Sequence, residues 1–458
     1  MNKEGDQLLK YNENRVPEAR SMGCWAPIKS LYFGFRGNTS VCCFNKIHVV
    51  GKYPELTIRE IWDSAKRKEI AQRLVQNDFS LGCKGCEELI LAENYKALPA
   101  KNFDTLPILR TDYPSKMDFE LSNECNLECL MCRGEFSSAI RKNREKLPPI
   151  KSAYDTNFVN QLEEFIPYLE NSHFLGGEPF LIPIYLDIWE RMVAINPNIR
   201  ISIQTNGTIL TERIKRIIHS MNFDIAVSID SIEEDTYRVI RKNGEWKKVL
   251  PNVHYFREYC RENNTHFHIS FCPMIQNWEE LPKVVAFANE LDCNIFFNTV
   301  FHPKSCSIGS LSSTEISGII DTLSNAELSS NTQIEEENKR SYLQVISHFG
   351  LWKKEALERE ELESKTGPAA DLTTYLEGLK HYLQENSDST LEEQAAIHAD
   401  IEAKLNYIID VAAENNLQET ATGHIIEMNY KTVVESLPQM DREHALYLFK
   451  SFVTPLPD

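Results

Sequence analysis

Twelve cysteines stand in a chain of 458 residues, and their spacing is the first chemistry the sequence offers. Eight lie before residue 133, four fall between 260 and 306, and the last 152 residues have none. Cys125, Cys129 and Cys132, within ELSNECNLECLMCRG at 120–134, have CX3CX2C spacing. Three thiolates in eight residues can ligate three corners of a four-iron cluster and leave one iron open to a substrate or cofactor. Zinc wants four closed ligands, or three plus water, usually with histidine. No histidine lies within 40 residues of the triplet. A second set, Cys24, Cys42, Cys83 and Cys86, reads CX12GX4C followed by CX2C, with Cys43 as a spare. Four thiolates suit either a second [4Fe–4S] cluster or an all-cysteine zinc site.

The elements that must hold these residues can be read from periodicity. From about 116 to 300, strand-like and helix-like segments alternate, the signature of βαβ units and a parallel sheet. Six segments read as strands: 116–122, 173–176, 201–206, 224–230, 266–274 and 294–300. IYLDIWERMVAI and LPKVVAFANEL read as crossover helices. Buried parallel strands are usually apolar on both faces, but four of these six alternate. Asp118, Glu120 and Ser122 oppose Met117, Phe119 and Leu121, and Gln204, Ser228 and Ser270 oppose apolar neighbours in the same way. The helices need the apolar face, so the sheet is expected to curve with a polar, ligand-holding concave side.

Flanking segments differ. LTIREIWDSAKRKEIAQRLVQ reads as one amphipathic helix with Ile58, Ile61, Trp62, Ile70 and Leu74 in its stripe, and ALPAKNFDTLP as a linker. Beyond 308 the chain reads as helical and acidic, with capping boxes at Ser312–Glu315 and Ser389–Glu392 and a stripe of Ile397, Ile401, Leu405 and Ile408. The run EELESK at 360–365 reads as a solvated face or loop. The expected division is 1–110, 111–307 and 308–458. With 49 basic against 67 acidic residues, net −18, the chain lacks the electrostatic footprint of a nucleic-acid or membrane-surface binder. It has no apolar run near the ~18 residues of a membrane span, and its first residues contain no secretion-signal stretch. A cytoplasmic location is expected, where clustered cysteines point to metal or catalysis rather than disulfides.

The triplet directly after the first strand resembles the radical S-adenosylmethionine (SAM) superfamily. Three further segments carry the resemblance, each at a strand's C-terminal end, where barrel folds place their sites: Gly176-Gly177-Glu178-Pro179, Gln204-Thr205-Asn206-Gly207 and Ser228-Ile229-Asp230. The resemblance implies a partial (β/α)6 barrel, SAM on the open iron and its reductive cleavage to a 5′-deoxyadenosyl radical that abstracts hydrogen. It also implies that Gly176, Gly177, Glu178 and Pro179 contact the SAM amino group, that Gln204 and Asn206, at the polar end of the third strand, bind the cofactor, and that Ser228 and Asp230 lie near its ribose and carboxylate. Met131 stands where the family often has an aromatic residue and is expected against adenine. The second cysteine set, with an Ile-Trp helix between its halves, looks like the auxiliary-cluster module called twitch or SPASM, placed here before the barrel. That implies a second [4Fe–4S] cluster held by Cys24, Cys42, Cys83 and Cys86, and a flavodoxin- or ferredoxin-like reductant.

Related peptide epimerases use a cysteine to return hydrogen to the substrate radical, so Cys272 and Cys306 are candidates for that role; Cys260 and Cys293 read as core. His266 and His268 are expected deep at the barrel floor, and Arg241 reads as a surface residue with a SAM-carboxylate contact as the alternative. The helical C-terminal region is a candidate lid or partner-docking surface. The expected function is an oxidoreductase of the radical SAM class acting on a peptide or protein side chain by epimerisation, cross-linking or oxidation. A dehydrogenase or rearrangement enzyme on a small metabolite is the alternative, and a non-enzymatic zinc scaffold the remote one.

Overall fold

The computed structural model describes residues 3–366, 371–387, 389–414, 417–428, 430–440 and scattered positions to 449. The chain forms two compact units: residues 1–272 with 283–296 and 332–338, and residues 273–282 with 297–331 and 339–458. These units do not follow the three-way division at 110 and 307.

The first unit is built on one nine-stranded sheet. Its strands are β1 (Ser30–Phe33), β2 (Asn38–Ser40), β3 (Gly51–Lys52), β4 (Lys116–Phe119), β5 (Asn171–Phe174), β6 (Arg200–Thr205), β7 (Asn222–Ser228), β8 (Phe267–Phe271) and β9 (Asn294–Phe297). They are ordered β3-β2-β1-β4-β5-β6-β7-β8-β9. The six expected strands are β4 to β9, most of them shorter at the C-terminal end. β4 ends early because the amide of Leu121 bonds to the hydroxyl of Tyr185, 2.8 Å away, rather than to a strand.

The N-terminal segment joins the same sheet. β1 pairs parallel with β4, matching Ser30 to Lys116 and Phe33 to Phe119, and turns back antiparallel through β2 and β3. Apolar faces drive the pairing. Phe119 stacks between Phe33 at 5.7 Å and Phe174 at 4.8 Å, and Phe158 meets Phe33 edge-on at 5.2 Å. Trp189, from helix Pro183–Ile195, continues this layer to Phe174 and Phe223. The expected alternation holds: Met117, Ile201, Ile225, Val227, Ile269 and Phe271 are fully buried under the helices.

Two N-terminal expectations change. The single helix is two, Ile58–Trp62 and Ala65–Val75, because Ser64 caps the second by accepting from the amide of Arg67. Its expected stripe is nonetheless wholly buried. The segment expected as a linker is a packed 3-10 turn, Pro99–Phe103, with Leu98, Ala100 and Phe103 buried. Asp104 anchors it through a buried ion pair with Arg15, 2.7 Å.

The second unit is helical. Ser312 and Glu315 form the expected capping box, whereas the second box starts one residue late, at Thr390 with Glu393. Ile401, Leu405 and Ile408 pack with Tyr375, Leu379 and Ile425. EELESK belongs to helix Gln333–Thr366, and its Glu360 takes the amide and hydroxyl of Ser313 at 2.7 and 2.6 Å. Among the described residues no helix is long and apolar enough to cross a membrane.

Tyr185 ties the C-terminal ends of β4 and β5 together, since its hydroxyl also lies 2.7 Å from the Leu175 carbonyl and 3.0 Å from that of Phe119. Tyr185→Phe strands the buried Leu121 amide, so urea denaturation should show a loss of about 1–3 kcal/mol.

Candidate functional site

The triplet loop leaves β4 and is held from three sides. Ser138 bonds both the amide and carbonyl of Cys125 (3.1 and 3.2 Å), and the Ser137 hydroxyl donates to Leu127 O at 2.7 Å. Glu128 and Leu130 donate their amides to the carbonyls of Lys242 and Ile240, at 3.0 and 2.8 Å. The Glu128 side chain is buried among Asn143, Lys242 and Asn243. Arg144 places its guanidinium on the carbonyls of Cys129 and Cys132. Burial pushes the Cys129 thiol up to about 12 and the Cys132 thiol to about 11, and the guanidinium of Arg241 opposes both shifts.

The Gly176–Pro179 segment forms the fourth side. Gly176 has φ +108°, and a Cβ there would lie 2.4 Å from Ser122 O. A Cβ on Gly177 would lie 2.1 Å from Glu124 O. Both glycines let this segment seat its amides on the triplet loop, Gly177 N to Ser122 O at 3.1 Å and Glu178 N to Glu124 O at 2.7 Å. Glu178 is fully buried, and its carboxylate takes Thr205 Oγ1 at 2.6 Å, Asn206 N at 2.6 Å and Phe180 N at 3.2 Å. It locks the ends of β5 and β6 together rather than presenting an oxygen to a ligand. Pro179, also buried, starts the turn that follows.

Asp230 corrects a second expectation. It is fully buried, accepts from Cys272 N at 2.8 Å and pairs with Arg241 at 2.6 Å. Arg241 is therefore a buried counter-charge, not a surface residue. The groups that do line the polar face are Gln204, which bridges Ser228 and Ser270 at 2.8 and 3.3 Å, and Asn206, which donates to Asn126 at 3.0 Å and lies 3.9 Å from Cys125 Sγ. Met131 is half-buried at the triplet turn.

Cys24, Cys42, Cys83 and Cys86 line one cavity, otherwise walled by apolar groups such as Val41, Leu74, Phe79 and Phe103. Cys43 is not in its wall; its thiol faces Asp118, Lys116 and Lys46 instead. Burial pushes the Cys83 thiol up to about 12 and raises Cys24 and Cys42 further. Among the described residues no three His, Cys, Asp or Glu side chains converge on a single-ion position. The four thiols ring a space, and a donor set of sulfur alone around an apolar chamber fits a cluster.

The two cysteine sets sit at opposite ends of β4. Ser30, opposite Lys116 at the start of β4, donates its hydroxyl to Val41 O, next to Cys42. The triplet follows the other end of this four-residue strand, roughly 10 Å along it at ~3.3 Å per residue. Between them runs a charged row that the sequence showed only as alternation. Lys116 pairs with Asp118 at 3.0 Å, and Glu120 receives the Tyr32 hydroxyl and, at 2.6 Å, the Lys46 ammonium. Both donors use Oε2, leaving Glu120 Oε1 without a donor among the described residues. Burial lowers the pKa of neighbouring His173, which keeps its ring neutral.

Other candidates fall elsewhere. Cys272 lies beside Asp230 and Arg241, within electrostatic reach of Cys129. Cys306 is buried in the second unit, its amide on Pro303 O at 2.9 Å. Cys260 and Cys293 are core, as expected. His266 is exposed at the start of β8, not at a floor, because Asp224 holds its backbone there, and His268 is half-buried edge-on to Phe296.

A thiol triplet beyond the C-terminal end of β4, with a four-thiol chamber on the same largely parallel sheet, defines an iron–sulfur protein that leaves one cluster position open. Residues 119–288 match the radical SAM superfamily and residues 24–87 match the SPASM iron–sulfur cluster-binding domain, so the chain carries both a radical SAM domain and an SPASM domain. Those two domains imply SAM with a [4Fe–4S] cluster and an auxiliary cluster. The chain is 32% identical over 158 residues to the cysteine-type anaerobic sulfatase-maturating enzyme of Clostridium novyi, covering 31% of this chain and 40% of that protein. It is 27% identical over 196 residues to the AdoMet-dependent heme synthase of Methanosarcina barkeri, covering 42% and 52%. The chain thus spans about half the length, or less, of these curated relatives. Among solved structures, Streptococcus suis SuiB bound to S-adenosylmethionine is 14% identical over 58% of this chain and 59% of that one, with a TM-score of 0.34.

The chamber geometry separates Cys42 from Cys43. After anaerobic reconstitution, Cys43→Ala should keep the parent's iron content while Cys42→Ala loses about half of it, read by iron and sulfide analysis.

Proposed function

We propose that this protein reductively cleaves SAM and uses the resulting radical to oxidise a peptide or protein side chain. The observation that carries this reading is the charged row on β4, which runs from the four-thiol chamber to the triplet. When bound, a cluster with SAM at the triplet supplies the 5′-deoxyadenosyl radical, and a second cluster in the chamber supplies a one-electron acceptor. Cys125, Cys129 and Cys132 hold the first group, and Cys24, Cys42, Cys83 and Cys86 the second. Gln204, Asn206, Ser228, Met131 and the backbone of Gly176 and Gly177 orient SAM, while Glu178 and Asp230 act one layer behind them.

Glu120 takes up the proton lost when the substrate carbon is oxidised. Its carboxylate is fixed by Tyr32 and Lys46 through one oxygen, and the other is open. Epimerisation needs a hydrogen donor on the face away from the radical source. Cys272 is taken up with the buried Asp230–Arg241 pair, which weighs toward oxidation. A relative named for maturing a sulfatase supports a protein substrate. The one named for heme synthesis supports a small metabolite as the second reading. A cytoplasmic setting and a flavodoxin- or ferredoxin-like electron donor complete the proposal.

Anaerobically reconstituted protein, reduced with SAM, should form 5′-deoxyadenosine, and Cys125→Ala should abolish it. With a deuterated candidate peptide, label should reach 5′-deoxyadenosine, and Glu120→Gln should cut oxidised product at least ~100-fold while leaving cofactor cleavage intact. Reconstituted protein that holds no iron and cleaves no SAM would sink the reading.

A further inference from the structure

We propose that Lys29 sets the reduction potential of the auxiliary centre, acting through charge from just behind the chamber wall. This rests on the reading that Cys24, Cys42, Cys83 and Cys86 hold a cluster. Lys29 ends the single helical turn Ala26–Lys29 that follows Cys24, and it is 5% exposed. Its ammonium donates to two backbone carbonyls, Phe103 O at 2.8 Å and Asp104 O at 3.2 Å, and sits 4.9 Å from the Trp25 ring. Ala26, Pro27 and Phe103 from these same segments line the chamber.

The neighbouring cation differs. Arg15 is matched by the Asp104 carboxylate through two bonds, at 2.9 and 2.7 Å. Asp104 thus gives both carboxylate oxygens to Arg15 and only its carbonyl as a direct bond to Lys29, although its charge still reaches the ammonium. A buried ammonium held by carbonyls keeps most of its field, and the low dielectric carries that field to Cys24. Burial lowers the Lys29 pKa and the Arg15 charge adds to that, while the Asp104 and Cys24 charges work against the shift. A nearby positive charge stabilises whichever state of the cluster carries one more electron. Lys29 thus makes the centre a readier acceptor of the electron the substrate gives up.

The test is a redox titration of the reconstituted full-length protein, followed by electron paramagnetic resonance so that the two clusters are read separately. Lys29→Met should shift the auxiliary midpoint negative by at least about 59 mV, a tenfold change in its one-electron equilibrium constant. The triplet's cluster should keep its potential, and Lys29→Arg should stay near the parent. Lys29→Gln keeps donors for both carbonyls without the charge, and it decides the matter where the Met variant fails to load iron. An unchanged auxiliary potential in either uncharged variant overturns the proposal, as does failure of both to load the second site. Absence of a second cluster from the parent protein would instead remove the reading beneath it.

Discussion

Four residue pairs between β1 and β4 carry the architecture. Without them the N-terminal cysteines would hang from the parallel strands on a tether; with them, both thiol sets ride on one sheet. The pairing is secured by shape as well as by backbone bonds, since Phe33, Phe119 and Phe158 pack as an aromatic wedge beneath it. Buried aromatic pairs of this kind add about 0.5–1.5 kcal/mol each beyond their area. A sheet does not stretch, so the two ends of β4 hold the thiol sets at one separation. Everything proposed for the space between them depends on that constancy.

The sequence made the sheet legible because its helices demand one apolar face, leaving period-2 alternation in β4, β6, β7 and β8. It made the thiols legible because short spacings survive folding. It hid what acts across distance. Glu178 and Asp230 read as ligand contacts in a linear motif, yet both carboxylates are consumed inside the protein by Thr205, Asn206, Arg241 and Cys272. The two glycines serve a seam with the triplet loop, which no local pattern announces. The supposed linker at 97–107 gives Pro99, Ala100 and Phe103 to the chamber wall. Composition marked it as a break where packing made it a wall.

Both thiol sites solve the same electrostatic problem in an acidic chain of net charge −18. Thiolates are costly in a low-dielectric interior, so each site gathers cations around it. Arg241 and Arg144 serve the triplet, and Arg15 and Lys29 serve the chamber. The supply differs in kind. Arg241 is tied to Asp230, so its field at Cys129 is partly cancelled, whereas Lys29 bonds two carbonyls and lies against an aromatic ring, with no direct ion pair among the described residues. On charge alone the chamber favours the more reduced state.

The layout along β4 follows from how differently protons and electrons travel. A proton moves only between groups in hydrogen-bond contact, about 2.6–3.2 Å apart, so a base must stand where the radical forms. An electron tolerates a longer gap, and its acceptor can stand apart. Glu120 lies near the triplet end with Oε1 open, and the chamber lies at the far end. Lys46 and Tyr32 fix the carboxylate without occupying that oxygen. On the proposed reading, a substrate lying over Glu120 and Asp118 meets the proton acceptor first, with the electron acceptor further along the same strand. That order suits net oxidation, in which both particles must leave, better than epimerisation, in which a hydrogen atom must come back.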